Sequence, residues 1–104
     1  VQVLDVATYE KKTTQPDVQL VDVRTPEEFS QGHIENAVNI DFMADDFDAK
    51  VANLDKEKPV MVYCKSGGRS AKASARLKEL GFKTITDLEG GITNWTSEEK
   101  PTVK

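Results

Sequence analysis

Two short apolar runs constrain this chain more than anything else in it. Residues 18–23 read Val-Gln-Leu-Val-Asp-Val and residues 60–63 read Val-Met-Val-Tyr, the composition of strands buried on both faces. No Asn-Gly hairpin signal stands between candidate strands; segments of helical character separate them instead. That alternation reads as βαβ units. The expected fold class is α/β, three layers (α/β/α) around a central, mainly parallel sheet. In such sheets a site lies beyond the carboxyl ends of the strands, where loops enter helices. At ~100–200 residues per domain, the 104 residues make one domain. Its expected ordered core is about residues 1–97, followed by a polar tail at 98–104 that should fray.

Cap and turn chemistry places the other elements. Val1-Gln2-Val3-Leu4 is short and apolar, and Asp5 offers an N-cap for a helix running to about Lys12. Thr25 can cap a second helix, with Pro26 at its first position, Glu28 closing a capping box and Gly32 ending it. Residues 37–40 suggest a short strand. Residues 45–54 suggest a helix with Phe47, Val51 and Leu54 on one stripe. The spacing of Ala73, Leu77 and Leu80 predicts a helix over 70–80, stopped by Gly81. Residues 84–88 form a last strand, and Gly90-Gly91 turns the chain into a short helix holding Trp95.

Composition removes several classes of function. Hydrophobic residues make up 38% and charged residues 31%, which excludes a disordered or collagen-like chain. The longest apolar runs are a few residues long, too short for a membrane-spanning helix. A net charge of −4 and a pI near 5.0 argue against nucleic acid as a partner. One cysteine, Cys64, permits neither an internal disulfide nor a Cys-based zinc site. The sequence starts at Val1 without a basic or strongly apolar leader. A cytoplasmic monomer is expected, with export after removal of a segment upstream of Val1 as the alternative.

Cys64 therefore needs its own explanation. It follows a buried strand and precedes a helix in Val60-Met61-Val62-Tyr63-Cys64-Lys65-Ser66-Gly67-Gly68-Arg69-Ser70. Gly67-Gly68 allows several N–H groups to curl toward one point as an anion nest, and the following helix turns its positive dipole end to the same point. Lys65 and Arg69 are expected to add full charges. A thiolate placed there is stabilised without a histidine base. Free cysteines are more often small buried hydrophobes, but that reading leaves the Gly-Gly turn and its two cations unexplained.

Three motifs in order complete the pattern. Asp22-Val23-Arg24-Thr25-Pro26-Glu27-Glu28-Phe29 leads into Gly32-His33-Ile34-Glu35-Asn36-Ala37-Val38-Asn39-Ile40; the Cys64 loop follows; Asp87-Leu88-Glu89-Gly90-Gly91-Ile92-Thr93-Asn94-Trp95 closes the chain's ordered part. Together they resemble the rhodanese family of sulfurtransferases, in particular its small single-domain members. The resemblance implies a thiosulfate sulfurtransferase without cofactor or metal. It implies that Cys64 takes the sulfane sulfur of a small anionic donor as a persulfide. A thiol, cyanide or a sulfur-accepting protein would receive it. Lys65, Ser66, Gly67, Gly68, Arg69 and Ser70 would form the anion-binding loop, supported by Asp22 and Arg24.

Other readings of the same residues compete. Cysteine-dependent phosphatases and arsenate reductases also hold a thiolate in an anion loop, typically as Cys-x5-Arg. Here only four residues, Lys65 to Gly68, separate Cys64 from Arg69, a tighter cup suited to a sulfur atom. A binding or sulfur-carrier module of the same fold, without thiosulfate turnover, stays open because fold alone does not give function. His33, in a Gly-His-Ile turn, reads as structural. Asp22 and Arg24 read as an ion pair bracing the site, and Trp95 as core. The acidic group Asp41, Asp45, Asp46 and Asp48 lacks calcium-loop spacing and reads as caps and solvation around a helix start.

Overall fold

A computed structural model describes residues 1–104. The chain runs β1 (Gln2–Leu4), α1 (Val6–Thr13), β2 (Gln19–Asp22), α2 (Pro26–Gln31), β3 (Val38–Asn39), α3 (Phe47–Val51), β4 (Val60–Tyr63), α4 (Gly68–Glu79), β5 (Ile85–Leu88) and α5 (Gly91–Ser97). The five strands form one sheet in the order β1-β5-β4-β2-β3, and every pairing is parallel. Val21 pairs with Val62, and Val62 with Asp87, so the carboxyl ends of the central strands open onto one set of loops.

Period-two alternation along the strands builds two cores. Val21, Val23, Val60, Val62, Cys64 and Ile85 point to one face, where Phe47 and Val51 of α3 and Ala73 and Leu77 of α4 cover them. Leu20, Met61, Tyr63 and Leu88 point to the other, under Val6 and Tyr9 of α1 and Ile92 and Trp95 of α5. Both faces are buried, which explains the unbroken apolar runs of β2 and β4. Full burial of a side chain such as Leu77 contributes about 1.5–3 kcal/mol.

The caps form as their sequences dictate. Asp5 accepts from the Thr8 amide at 2.9 Å. Thr25 and Glu28 close a reciprocal box, the Thr25 amide donating to Glu28 Oε1 at 3.1 Å and the Glu28 amide to Thr25 Oγ1 at 3.3 Å. Two expectations need correction. The helix expected over 45–54 is only Phe47–Val51, because Asp46 makes no side-chain cap and Leu54 sits in the turn that follows. The tail at 98–104 does not hang free: the His33 amide donates to the Val103 carbonyl at 2.9 Å, Trp95 Nε1 donates to the Pro101 carbonyl at 2.8 Å, and Lys100 pairs with Glu10 at 2.9 Å. The indole donor and a paired lysine secure a segment whose polarity alone suggested fraying. No helix is long and apolar enough to cross a membrane.

Candidate active site

Cys64 is the first residue past β4 and is 1% exposed. Its position is set from three sides. The strand carries it to the sheet's carboxyl edge. Gly67, at φ +115°, a backbone region that favours glycine, turns its N–H back to within 3.0 Å of Sγ. From below, the start of α5 grips the loop: the Ile92 amide donates to the Cys64 carbonyl at 2.9 Å and the Thr93 amide to the Lys65 carbonyl at 3.0 Å. Ser70, on the first turn of α4, places its hydroxyl 3.4 Å from Sγ.

The balance of forces on the thiol is explicit. Burial raises its pKa, but the Ser70 hydroxyl and the amides of Ser70, Gly67 and Ser66 outweigh it and hold the thiol below its ordinary value. The hydroxyl and amide dipoles are the nearest stabilisers of the thiolate, and the Arg69 charge also acts on it. The expectation that the Arg69 guanidinium points at the sulfur is corrected here. Arg69 turns away to make a two-pronged pair with Glu28, Nη1–Oε1 at 2.7 Å and Nη2–Oε2 at 3.0 Å. Lys65 is exposed and lines a pocket of about 340 Å³ together with Arg24, Glu28, Gly32, Thr93 and Thr102. Ser66 and Gly68 complete the loop on its exposed side.

Glu28 is the functional residue that sequence reasoning underused. Its capping-box role was legible, but the same carboxylate also holds Arg69. The Arg69 fork, against a smaller opposing effect of burial, pulls its pKa down to about 2. A capping-box carboxylate reaches back toward the helix N-terminus. In this fold that is the sheet's carboxyl end, so the signal was present. Tyr63 was also missed: its hydroxyl accepts from the Ile34 amide at 3.0 Å, and its ring lies 5.8 Å from the Arg24 guanidinium carbon.

Asp22 and Arg24 form a buried ion pair. Arg24 Nη2 lies 2.7 Å from Asp22 Oδ2, Nε lies 3.0 Å from both carboxylate oxygens, and the Arg24 amide donates to Oδ1 at 2.9 Å. Arg24 Nη2 also donates to the Gly32 carbonyl at 2.7 Å, and Asn39 Nδ2 to the Arg24 carbonyl at 2.9 Å. The pair thus ties β2, the end of α2 and β3 together beneath the pocket. His33 stacks on Phe29 at 3.7 Å between ring centroids, with Nδ1 2.9 Å from the Phe29 carbonyl; it makes no contact with the sulfur. Trp95 is buried, edge-on to Tyr9. Among the acidic residues, Asp41 accepts from the Met43 amide, Asp46 pairs with Lys50 and Asp48 with Arg76. No group of three or more His, Cys, Asp or Glu side chains gathers where it could hold a metal ion.

A buried nucleophile in a nest of amides at the end of a parallel strand is the frame in which comparison with known proteins becomes informative. The family model of the rhodanese-like domain matches residues 5–98. The chain belongs to this family. Among relatives of this rhodanese-like domain, a protein of Allochromatium vinosum named sulfurtransferase is 37% identical over 87 residues, covering 84% of this chain and 79% of that one. A chloroplastic protein of Arabidopsis thaliana, named thiosulfate sulfurtransferase 16, is 37% identical over 92 residues, covering 79% of this chain and 77% of that one. Among solved structures, a rhodanese-related protein from Thermoplasma volcanium superposes with a TM-score of 0.87 at 33% identity, covering 99% of this chain and 98% of that one.

Proposed function

We propose that this rhodanese-like domain is a sulfurtransferase that moves a sulfane sulfur from an anionic donor such as thiosulfate to a thiol or cyanide acceptor. The observation that carries the reading is the pair of groups on Cys64 Sγ: the Gly67 N–H donates to it at 3.0 Å, and the thiol donates to Ser70 Oγ at 3.4 Å, a hydroxyl whose hydrogen now goes to the Gly67 carbonyl at 3.3 Å and can rotate to the sulfur once the thiol ionises. They favour an anionic sulfur in a buried place where a thiol would otherwise stay protonated.

In the first half-reaction the Cys64 thiolate attacks the outer sulfur of thiosulfate. A new S–S bond forms, the donor's S–S bond breaks, and its electron pair leaves on sulfite. The terminal sulfur of the persulfide then lies where the loop amides can hold negative charge. In the second half-reaction a nucleophilic acceptor bonds to that terminal sulfur, and the Cys64 thiolate departs with the electron pair. No cofactor is consumed. Lys65, the exposed cation on the pocket rim, attracts the anionic donor, while Arg69 is neutralised by Glu28 and serves to hold α4 against α2. The acceptor in a cell is a small thiol or a sulfur-accepting protein, and the acting unit is the monomer.

The test is thiosulfate:cyanide transfer by wild type and Cys64→Ser. Turnover in the wild type and none in the variant, with both folded by near-UV circular dichroism, supports the proposal. A wild type that binds sulfur but does not turn over thiosulfate would favour the carrier-module reading.

A further inference from the structure

Arg24 is a buried cation with a donor left over. Its side chain is 7% exposed. Nε and Nη2 give their hydrogens to Asp22 and to the Gly32 carbonyl, while Nη1 donates to nothing in the chain. A guanidinium carries two N–H groups on that nitrogen, and a donor without a partner on so buried a side chain calls for an explanation. Nη1 is not sealed in: the fully buried side-chain polar atoms that lack a partner are Ser74 Oγ and Asp87 Oδ1. The surface that Arg24 keeps therefore belongs to the pocket of about 340 Å³ that it lines, between α2 and α5.

The other groups in that pocket are free for the same ligand. Lys65 is exposed and stands in no ion pair. The Thr93 and Thr102 hydroxyls and the Gln31 amide line the cavity and hydrogen-bond to nothing else in the chain, whereas Thr96 spends its hydroxyl on the Ile92 carbonyl at 3.0 Å. Thr102 is fixed by its neighbours, through Trp95 Nε1 to the Pro101 carbonyl and the His33–Val103 bridge. Charge decides what kind of ligand fits. Arg24 is balanced by Asp22 and Glu28 by Arg69, so Lys65 leaves the pocket with an excess of one positive charge. Burial works against the Arg24 charge, but the hydrogen bonds and charge of Asp22 outweigh it, and the guanidinium stays ionised.

We propose that this pocket is a binding site for a small organic carboxylate, held by Arg24 Nη1 and the Lys65 ammonium with the Thr93 and Thr102 hydroxyls beside them. A singly charged anion matches the excess charge, and its planar pair of oxygens suits the in-plane N–H groups of a guanidinium. A doubly charged anion would bring a second, uncompensated charge up to the Glu28 carboxylate. The site is distinct from the amide nest. Cys64 faces the core under α3 and α4, whereas Ile92, which lines the pocket, faces the core under α1 and α5; Lys65, next in the chain to Cys64, joins the two. The carboxylate is either the tail of the acceptor thiol or a separate molecule, and both present the same group to Arg24. Only the first of these sources rests on the sulfurtransferase reading. In that case the acceptor's thiolate bonds to the terminal sulfur of the Cys64 persulfide, the bond from that sulfur to Sγ breaks, and its electron pair returns to Sγ.

The test titrates sodium propionate into wild type at constant ionic strength and follows the arginine side-chain ¹⁵N–¹H signals. The arginines are Arg24, Arg69 and Arg76, so Arg69→Lys and Arg76→Lys assign Arg24 by elimination. The Arg24 signal should shift and saturate with a dissociation constant on the order of millimolar, and propionamide should leave it in place. Thr93→Val and Thr102→Val should weaken binding several-fold. The proposal is overturned by no saturating shift at Arg24, by an equal shift with propionamide, by tighter binding of sulfate than of propionate, or by affinity unchanged in both valine variants. Sulfur transfer to 3-mercaptopropionate or to its neutral amide, at high salt where attraction by Lys65 is screened, then separates the sources. A kcat/KM at least about ten-fold higher for the acid, the scale of one hydrogen bond to a charged group, assigns the site to the acceptor's tail. Equal values, with propionate still bound, assign it to a separate carboxylate. The propionate shift should persist in Cys64→Ser, so loss of sulfur transfer and loss of this site are recognised separately.

Discussion

Gly91→Ala tests how the reactive loop is held, because the first residue of α5 packs directly on the backbone of that loop. A Cβ built at Gly91 falls 2.5 Å from both the Cys64 and the Lys65 carbonyl oxygens. The residue also has φ +62°, which costs a non-glycine residue about 1–2 kcal/mol. Relieving the overlap requires α5 to move off the loop. That stretches the Ile92–Cys64 and Thr93–Lys65 hydrogen bonds, now 2.9 and 3.0 Å, each contributing about 0.5–1.5 kcal/mol net. Together these terms give a loss of about 2–5 kcal/mol, a large share of the ~5–15 kcal/mol usual for a domain. At ~4–8 °C per kcal/mol for this size, Tm should fall by at least about 8 °C. Gly90→Ala is the control. It is also left-handed, at φ +74°, and its Cβ falls 2.8 Å from Asn94 Cβ within α5, so it strains the first turn of the same helix without meeting the backbone of the reactive loop. Urea unfolding and thiosulfate:cyanide kcat/KM would be measured on both variants. Gly91→Ala should lose more activity than Gly90→Ala, because only its Cβ meets the Cys64 and Lys65 carbonyls. Equal losses of activity, or an active loop unaffected by Gly91→Ala, would refute the clamp.

Three further predictions follow from the site's electrostatics and shape. Ser70→Ala removes the largest hydrogen bond holding the thiol down, so the midpoint of iodoacetamide alkylation against pH should move up from a wild-type value below the free-thiol ~8.5; an unmoved midpoint would sink that assignment. Glu28, depressed from 4.5 to about 2 by Arg69, contributes stability in full above about pH 4.5 and loses it as pH falls toward about 2. The whole depression converts to ~3.4 kcal/mol, and screening at a side chain 28% exposed leaves about 1–2 kcal/mol. The stability gap between wild type and Glu28→Gln should therefore close in acid; a gap independent of pH would contradict the pairing. The four-residue spacing from Cys64 to Arg69 predicts no p-nitrophenyl phosphate hydrolysis above a Cys64→Ser background, and turnover through Cys64 would move the phosphatase reading to first place.

Much of the molecule was legible because its signals are local. The buried runs of β2 and β4, the Thr25–Glu28 box and the Gly67 turn each lie within a few residues, and together they place Cys64 at the sheet's carboxyl edge. What was not legible depends on partners distant in sequence. Arg69 reads as a cation for the sulfur until folding sets Glu28, forty-one positions earlier, in front of it. The tail reads as polar and loose until Trp95 and His33 supply its hydrogen bonds. Asp87 looks like one more charged residue until the register of β5 against β4 turns it inward beneath the sulfur. Charge patterns in a sequence give the sign of a group, whereas its partner is decided by which helix the sheet places opposite.

The most direct test of the central claim is an intact mass spectrum taken after incubation with thiosulfate and removal of excess donor. The account predicts a gain of one sulfur atom in the wild type, lost on addition of cyanide with release of thiocyanate, and no gain in Cys64→Ser. A wild type that gains no sulfur, or a Cys64→Ser variant that gains it equally, would contradict the assignment of Cys64 as the sulfur carrier.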